Sequence, residues 1–180
     1  MNRKSIFLSL FFLAFLFLYA QESGALEQKI QDLTASVEVV PVFSLSLDNP
    51  NLSFGMIGPG QTKTLGEGYY FNEVKCRSNS GRNWYLKMQL TSLQLLGKEY
   101  HLSTPSLKWK VIGNTGSAEP VGKMRFEDFS AQPILLYASL GDDNKGKEVA
   151  LKFQYQLALS ADAPAGTYVG QIMFTLAESP

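Results

Sequence analysis

The sequence VALKFQYQLAL, residues 149–159, decides the fold of this chain. Its polar residues Lys152, Gln154 and Gln156 alternate with apolar ones, and side chains two residues apart lie on the same face of a β-strand. One face of the stretch is therefore polar and the other apolar, which is typical of an antiparallel sheet that covers a core on one side. The apolar face consists of Val149, Leu151, Phe153, Tyr155, Leu157 and Leu159.

The same two-residue period recurs along the chain after Val37. It is clearest in residues 84–91, and turns rich in glycine or proline, such as residues 58–60 and 163–166, separate the alternating stretches. Proline presets φ and glycine accepts positive φ, so these turns favour chain reversal between strands. Strands are predicted at residues 43–47, 52–54, 69–77, 84–91, 107–111, 134–139, 149–159 and 168–176.

About eight short strands with turns between them, and no convincing helical stripe, predict an all-β fold. We expect an antiparallel β-sandwich with immunoglobulin-like or Greek-key connections, and a closed barrel is the alternative. The length of 180 residues fits one such domain with a core of its own. We place this domain at residues 37–180.

The first 25 residues have the pattern of a secretory signal peptide. Basic Arg3 and Lys4 precede an apolar run, residues 6–18, which is shorter than the roughly 20 residues that span a bilayer. Cleavage is expected after Ala20 or Ala25, and residues 26–36 would then form a linker or a short helix. The sequence thus predicts an exported protein, located outside the cell, at the cell surface or in the periplasm, with no stable membrane span after cleavage.

Charge narrows the choice of partners. The chain has 16 basic and 16 acidic side chains, and removing Arg3, Lys4 and Glu22 with the leader leaves 14 and 15. Nucleic acids and anionic membranes attract proteins through a clustered basic excess. The balance therefore predicts no nucleic-acid partner.

Residues with catalytic or ligand-binding chemistry are few. Cys76 is the only cysteine and shares a strand face with Val74, so we expect a small buried side chain and no intramolecular disulfide. His101 is the only histidine, and we expect it at an exposed strand end. The neighbouring acids at residues 127–128, and the two acids and Asn144 at residues 142–144, are expected to be solvated turn residues, since adjacent strand residues point to opposite faces. The sequence predicts no enzyme activity, no metal and no cofactor.

Three patches of the sequence carry a family resemblance. Residues 43–47 with 52–55, residues 82–86 and the ending PAGTY at residues 164–168 resemble WxL-type surface domains of Gram-positive bacteria. Phe174 stands where that family has its second tryptophan. The opening and ending also resemble fimbrial subunits and spore-coat-U-like secreted β domains, which usually carry paired cysteines that this chain lacks. The family-motif positions, expected in the core, are Trp84, Leu86, Tyr168, Phe174 and Leu176.

The predicted function is that of an exported, non-catalytic structural or adhesive protein of the envelope or cell surface. An exposed strand near the amino terminus would pair with a neighbouring copy or with another surface protein, because edge strands carry unpaired backbone groups. Pro41 interrupts this stretch, and proline in sheets is found at edges. The alternative is a module that binds wall or surface polysaccharide. The candidate pairing strand contains Val37, Val39, Pro41, Phe43 and Leu45.

Overall fold

The computed structural model describes residues 35–103 and 106–179. The predicted leader, residues 1–25, and residues 26–34 of the predicted linker lie outside this range. Ala35 and Ser36 have no regular secondary structure. The β domain is one compact unit that begins at Val39.

Strands dominate the described residues, and every pair of strands is antiparallel. The prediction of an all-β antiparallel fold is therefore confirmed. A short 3-10 helix spans Gly141–Asn144. The strands are β1 (Phe43–Leu47), β2 (Thr62–Leu65), β3 (Asn72–Ser78), β4 (Tyr85–Leu90), β5 (Gln94–Leu95), β6 (Leu107–Asn114), β7 (Glu127–Asp128), β8 (Ile134–Ala138), β9 (Glu148–Ala158), β10 (Tyr168–Val169) and β11 (Ile172–Ala177).

Two sheets face each other across the core and form the predicted sandwich. The large sheet has the order β1-β3-β9-β6-β7, and β2 pairs with the end of β9 beyond β3. The small sheet has the order β11-β4-β8, and a two-stranded ladder joins β10 to β5. That the connections are immunoglobulin-like stays a prediction.

The core lies on the apolar face of β9, the strand that the opening sequence predicted. Val149, Leu151 and Phe153 are completely buried, and the facing sheet contributes Leu86 and Leu136. Burying a side chain of this size contributes about 1.5–3 kcal/mol each to folding. The alternating burial within β3, β4 and β6 follows the same two-residue period.

Trp84 and Trp109 are the largest fully buried side chains, and Trp84 makes hydrogen bonds with both its indole ring and its backbone. Its indole Nε1–H donates to the carbonyl oxygen of Asp143 over 3.2 Å, and its backbone amide donates to Ser139 Oγ over 2.7 Å. The indole N–H of a buried tryptophan usually finds such a partner, although that of buried Trp109 has none among the described residues. These bonds fix the position where the chain enters β4.

The predicted strand at residues 52–54 is wrong. Leu52 and Phe54 do pack against the core, as the alternation suggested, but the segment has no neighbouring strand. Gly55 has a φ of +64°, which breaks the extended conformation directly after Phe54. The segment therefore has the side-chain pattern of a strand without backbone pairing.

Candidate functional site

A groove of about 850 Å³ lies where the small sheet fails to cover the large one. Strands are spaced about 4.8 Å apart, so a sheet three strands wide is roughly 10 Å narrower than one of five. The groove opens beside β11, and its volume falls within the range of typical ligand pockets. Residues around it include Leu52, Phe54, Leu90, Leu107, Tyr155, Leu157, Ile172 and Phe174.

The floor of the groove is apolar. Leu107, Tyr155 and Leu157 of the large sheet form it together with Leu90 of β4, and all four side chains are buried. The Tyr155 hydroxyl donates to Asn72 Oδ1 over 3.1 Å, so its one polar group is already satisfied. An occupant of the floor would therefore be recognised by apolar contact.

One wall of the groove is residues 52–57, whose backbone is unpaired. In the described part of the chain, these residues make no backbone–backbone hydrogen bond. The carbonyl oxygen of Phe54 accepts one bond, of 2.6 Å, from the ammonium group of Lys63. Backbone groups left in this state are available to a second chain.

The opposite wall is β11, an edge strand of six residues. It pairs with β4 on one side only. Ile172 and Phe174 turn toward the core, and the Phe174 ring meets Phe153 edge-on at 5.6 Å between centroids. Met173 faces solvent, with 40% of its surface exposed. The free edge of β11 thus presents unpaired backbone groups at the mouth of an apolar groove.

The second free edge belongs to β1, which pairs only with β3. Leu45 packs against the core, while Phe43 and Leu47 are exposed edge residues. Leu47 also borders the groove. The large and small sheets therefore end in free edges on the same side of the sandwich.

The predicted pairing strand divides into two parts. Phe43 and Leu45 lie in β1, whereas Val37, Val39 and Pro41 precede it and have no strand structure. Strand structure therefore begins only after Pro41, which the sequence predicted as the interruption of this stretch. Proline lacks the amide hydrogen that a ladder needs.

Asn79 secures the chain on both sides of Pro41. Its side chain accepts a 2.7 Å bond from the Val42 amide and donates a 2.9 Å bond to the Val40 carbonyl. Upstream of this anchor three valines are exposed: Val37 by 88%, and Val39 and Val40 by 73% each. Exposed apolar side chains clustered in a short segment are typical of an interaction site.

The structure brings two of the family-motif residues face to face. Leu86 and Leu176 are register partners across β4 and β11, and Phe174 lies opposite Met88. Trp84 immediately precedes β4. Tyr168 lies apart in β10, where its hydroxyl donates to the carbonyl oxygen of Pro164 over 2.7 Å.

The single cysteine and the single histidine differ sharply in environment. Cys76 is 1% exposed in β3, and burial raises the pKa of its thiol to about 12, so it stays protonated. His101 is exposed, and its Nδ1 lies 3.0 Å from Ser92 Oγ. Cys76 lies within β3, whereas His101 lies outside the strands and forms an isolated bridge with Gln94.

The expectation that residues 142–144 are solvated is wrong for Asp143. The 3-10 helix turns Asp143 inward, where it is fully buried and accepts bonds from Tyr137 Oη (2.5 Å), the Leu140 amide and both donors of Ser117. Burial alone raises the pKa of this carboxyl, but these donors outweigh it, and the pKa lies below its usual value. Asn144 is buried too. The described residues contain no group of three His, Cys, Asp or Glu side chains that could hold a metal ion.

Lys63, which bonds to the wall residue Phe54, and Asn79, which holds Val40 and Val42, were not singled out by the sequence. Their partners lie 9 residues away for Lys63 and 37 and 39 residues away for Asn79, so no local pattern indicates them. In the same described ranges, no helix has the length and apolar character that crossing a bilayer requires. No family model, curated protein or solved structure matches the chain.

Proposed function

We propose that this chain is an exported, non-catalytic envelope or cell-surface protein that assembles with its own copies by β-strand pairing. Residues 35–40 of one copy would add as a strand to the free edge of β11 in the next copy. The observation that carries the proposal is the apolar groove beside that edge, in a chain that also exposes Val37, Val39 and Val40. The export part rests on the predicted leader, residues 1–25.

An added strand matches what the groove lacks. It would widen the small sheet by about 4.8 Å, which covers half of the roughly 10 Å shortfall against the large sheet. It would also supply backbone partners for β11, and main-chain bonds of this kind give affinity in strand addition. Apolar side chains on its inner face would contact the floor formed by Leu107 and Leu157.

The length of the pairing segment and the alternation of its side chains fit the same arrangement. Residues 35–40 and β11 are both six residues long. In an extended chain Ala35, Val37 and Val39 share one face, and Val40 lies on the other. The face of Ala35, Val37 and Val39 contains no polar side chain, so it suits an apolar floor.

Charge adds a further match at the rim. Glu38 lies on the outward face of the pairing segment, and Lys63 stands beside the unpaired wall of the groove. Among the described residues, no carboxylate forms an ion pair with Lys63. A strand inserted from a second copy would bring an acidic group to this unpaired cation.

The pairing would join unlike surfaces of two copies. Contacts of this head-to-tail kind repeat along a line unless a rotation closes them into a ring. Pro41, which lacks an amide hydrogen, would end the pairing, and Asn79 would fix the start of the domain directly behind it. The product would be a linear array of sandwich domains.

Light scattering during size-exclusion chromatography tests the proposal. The full chain, expressed with its own leader and purified from the exported fraction, should show a mass that grows with concentration. Deleting residues 35–42 should leave a monomer with an unchanged β-sheet circular dichroism spectrum. Oligomers that survive this deletion would show that another surface mediates assembly.

A further inference from the structure

A second surface lies on the outer face of the large sheet, away from the groove. Side chains of this face form ion pairs along the strands: Lys75 with Glu73 at 3.5 Å, and Lys108 with Asp128 at 3.2 Å. Lys152 lies 3.8 Å from Glu73. Three lysines of this face are thus paired with carboxylates, and the face presents hydrogen-bonding groups of both signs.

Tyr69 projects from a tightly built turn at the edge of this face. The Tyr69 amide donates to the carbonyl oxygen of Gly66 over 3.0 Å, and Gly66 has a φ of +79°. A Cβ at Gly66 would lie 2.5 Å from the Phe71 amide nitrogen, so the turn requires glycine. Even so, 66% of the Tyr69 surface is exposed.

The Gln154 side chain holds this turn in place by hydrogen bonds. It lies on β9 with 7% of its surface exposed, and its side-chain amide donates to the carbonyl oxygens of Gly66 and Tyr69. The Phe71 amide donates to the carbonyl oxygen of Phe153 over 2.7 Å. A nearly buried amide is thus used to present an exposed tyrosine in a fixed position.

Aromatic rings and lysines form two stacks on this face. The rings of Tyr69 and Tyr70 lie 4.4 Å apart, and Lys152 Nζ sits 4.8 Å above Tyr70. On the next strand, Lys110 Nζ lies 4.6 Å above the Phe126 ring. Cations over ring faces fix both the rings and the lysines. The surface therefore has rigid aromatic contacts with polar groups beside them.

From this arrangement we infer that the outer face of the large sheet binds a neutral polysaccharide, with Tyr69 as its principal contact. An exposed ring face packs against the C–H side of a sugar ring, because both surfaces are apolar and the ring face is electron-rich. Glu73 and Lys152, beside the rings, offer an acceptor and a donor to sugar hydroxyls. The chain, with 16 basic and 16 acidic side chains, lacks the cationic excess that nucleic acid requires.

Affinity electrophoresis tests this inference with defined probes. The full chain would be run in native gels that contain β-1,4-glucan, β-1,3-glucan, mannan or soluble chitin oligomers. At least one probe should retard the wild-type chain. Tyr69→Ala should lose the retardation, and Tyr85→Ala should keep it, because Tyr85 lies on β4 in the other sheet. Both variants should keep the wild-type melting temperature within a few degrees.

The remaining outcomes decide against the inference. Wild-type mobility unchanged by all probes, or equal retardation of the Tyr69→Ala variant, would overturn it. Retardation by a neutral glycan that disappears at high salt would also overturn it, because salt screens exposed charges but leaves stacking on a tyrosine ring in place. These results do not depend on assembly through residues 35–40, which is measured separately by mass.

Discussion

Lys63 Nζ donates a 2.6 Å hydrogen bond to the carbonyl oxygen of Phe54. Within the described ranges this is the single hydrogen bond made by the backbone of residues 52–57. The Lys63 side chain thus donates to one backbone carbonyl of this groove wall, where a neighbouring strand would normally supply backbone donors and acceptors. Phe54 itself lines the groove, so this bond lies at one of its walls.

Val39→Asp should weaken assembly at least roughly tenfold. Burying a valine is worth about 1.5–3 kcal/mol, and each 1.4 kcal/mol changes an equilibrium constant tenfold. Val40→Asp is the matched control, because Val40 is exposed to the same extent, 73%, but lies on the opposite face of an extended chain. Sedimentation over a range of concentrations measures both constants. Equal losses in the two variants would contradict the assigned phase.

Reversing either charge at the rim should weaken association a few-fold, since exposed ion pairs contribute about 0–1 kcal/mol. Glu38→Lys and Lys63→Glu would each place like charges together. The double variant should regain wild-type affinity, and the difference should shrink at high salt. If the double variant did not recover wild-type affinity, the proposed ion pair between Glu38 and Lys63 of two copies would be contradicted.

Asp143→Asn should destabilise the fold at neutral pH by about 1–3 kcal/mol, because the carboxylate accepts several buried hydrogen bonds. The pKa of Asp143 is lowered in the fold. Its contribution is therefore complete above the unfolded pKa of about 3.9, and is lost as pH falls toward the lower folded pKa. Urea unfolding at several pH values checks this. A wild-type minus variant difference that grows on acidification would contradict the sign.

Cys76 should resist alkylation in the native protein at pH 8. Its thiol pKa is about 12 in the fold, whereas an unfolded cysteine has a pKa of about 8.5. Labelling should therefore follow unfolding and accelerate sharply across the urea transition. Mass spectrometry after timed iodoacetamide treatment measures the rate. Rapid labelling without urea would show that β3 is more accessible than the fold indicates.

Leu86→Ala should destabilise the sandwich by about 2–5 kcal/mol, the usual cost of deleting a buried leucine. Leu86 is fully buried and lies opposite Leu176 in the register of β4 and β11. Leu135→Ala is a suitable control, because Leu135 is 41% exposed on β8. Thermal unfolding compares the two variants. Similar melting temperatures would contradict the assigned faces.

Local alternation was sufficient to predict the strands whose pairing partners lie on both sides. Residues 149–159 alternate because β9 lies in the middle of the large sheet with one face on the core. Residues 52–54 alternate too, yet pairing depends on a neighbouring strand, and none is present there. The period therefore predicts which side chains turn inward, but not whether the backbone finds a partner.

The candidate site could not be predicted from local sequence patterns, because it is built from contacts between residues distant in sequence. Asn79 divides the stretch around Pro41 from 37 and 39 residues away, and Gln154 holds the Tyr69 turn from 85 residues away. Asp143 turns inward because Ser117 and Tyr137 supply its donors. Two glycines on either side of Glu67, followed by two tyrosines at residues 69–70, were the local signal that could have indicated the exposed aromatic turn.

The central claim is that residues 35–40 of one copy occupy the groove beside β11 of another. Photo-cross-linking from position 39, in an equal mixture of ¹⁴N- and ¹⁵N-labelled chains, tests it most directly. Mixed-isotope cross-links to residues 52–57 or 168–174 are the predicted result. Cross-links that contain one isotope only would lie within a single chain, and these would contradict the account. Cross-links between copies that involve other surfaces would contradict it as well.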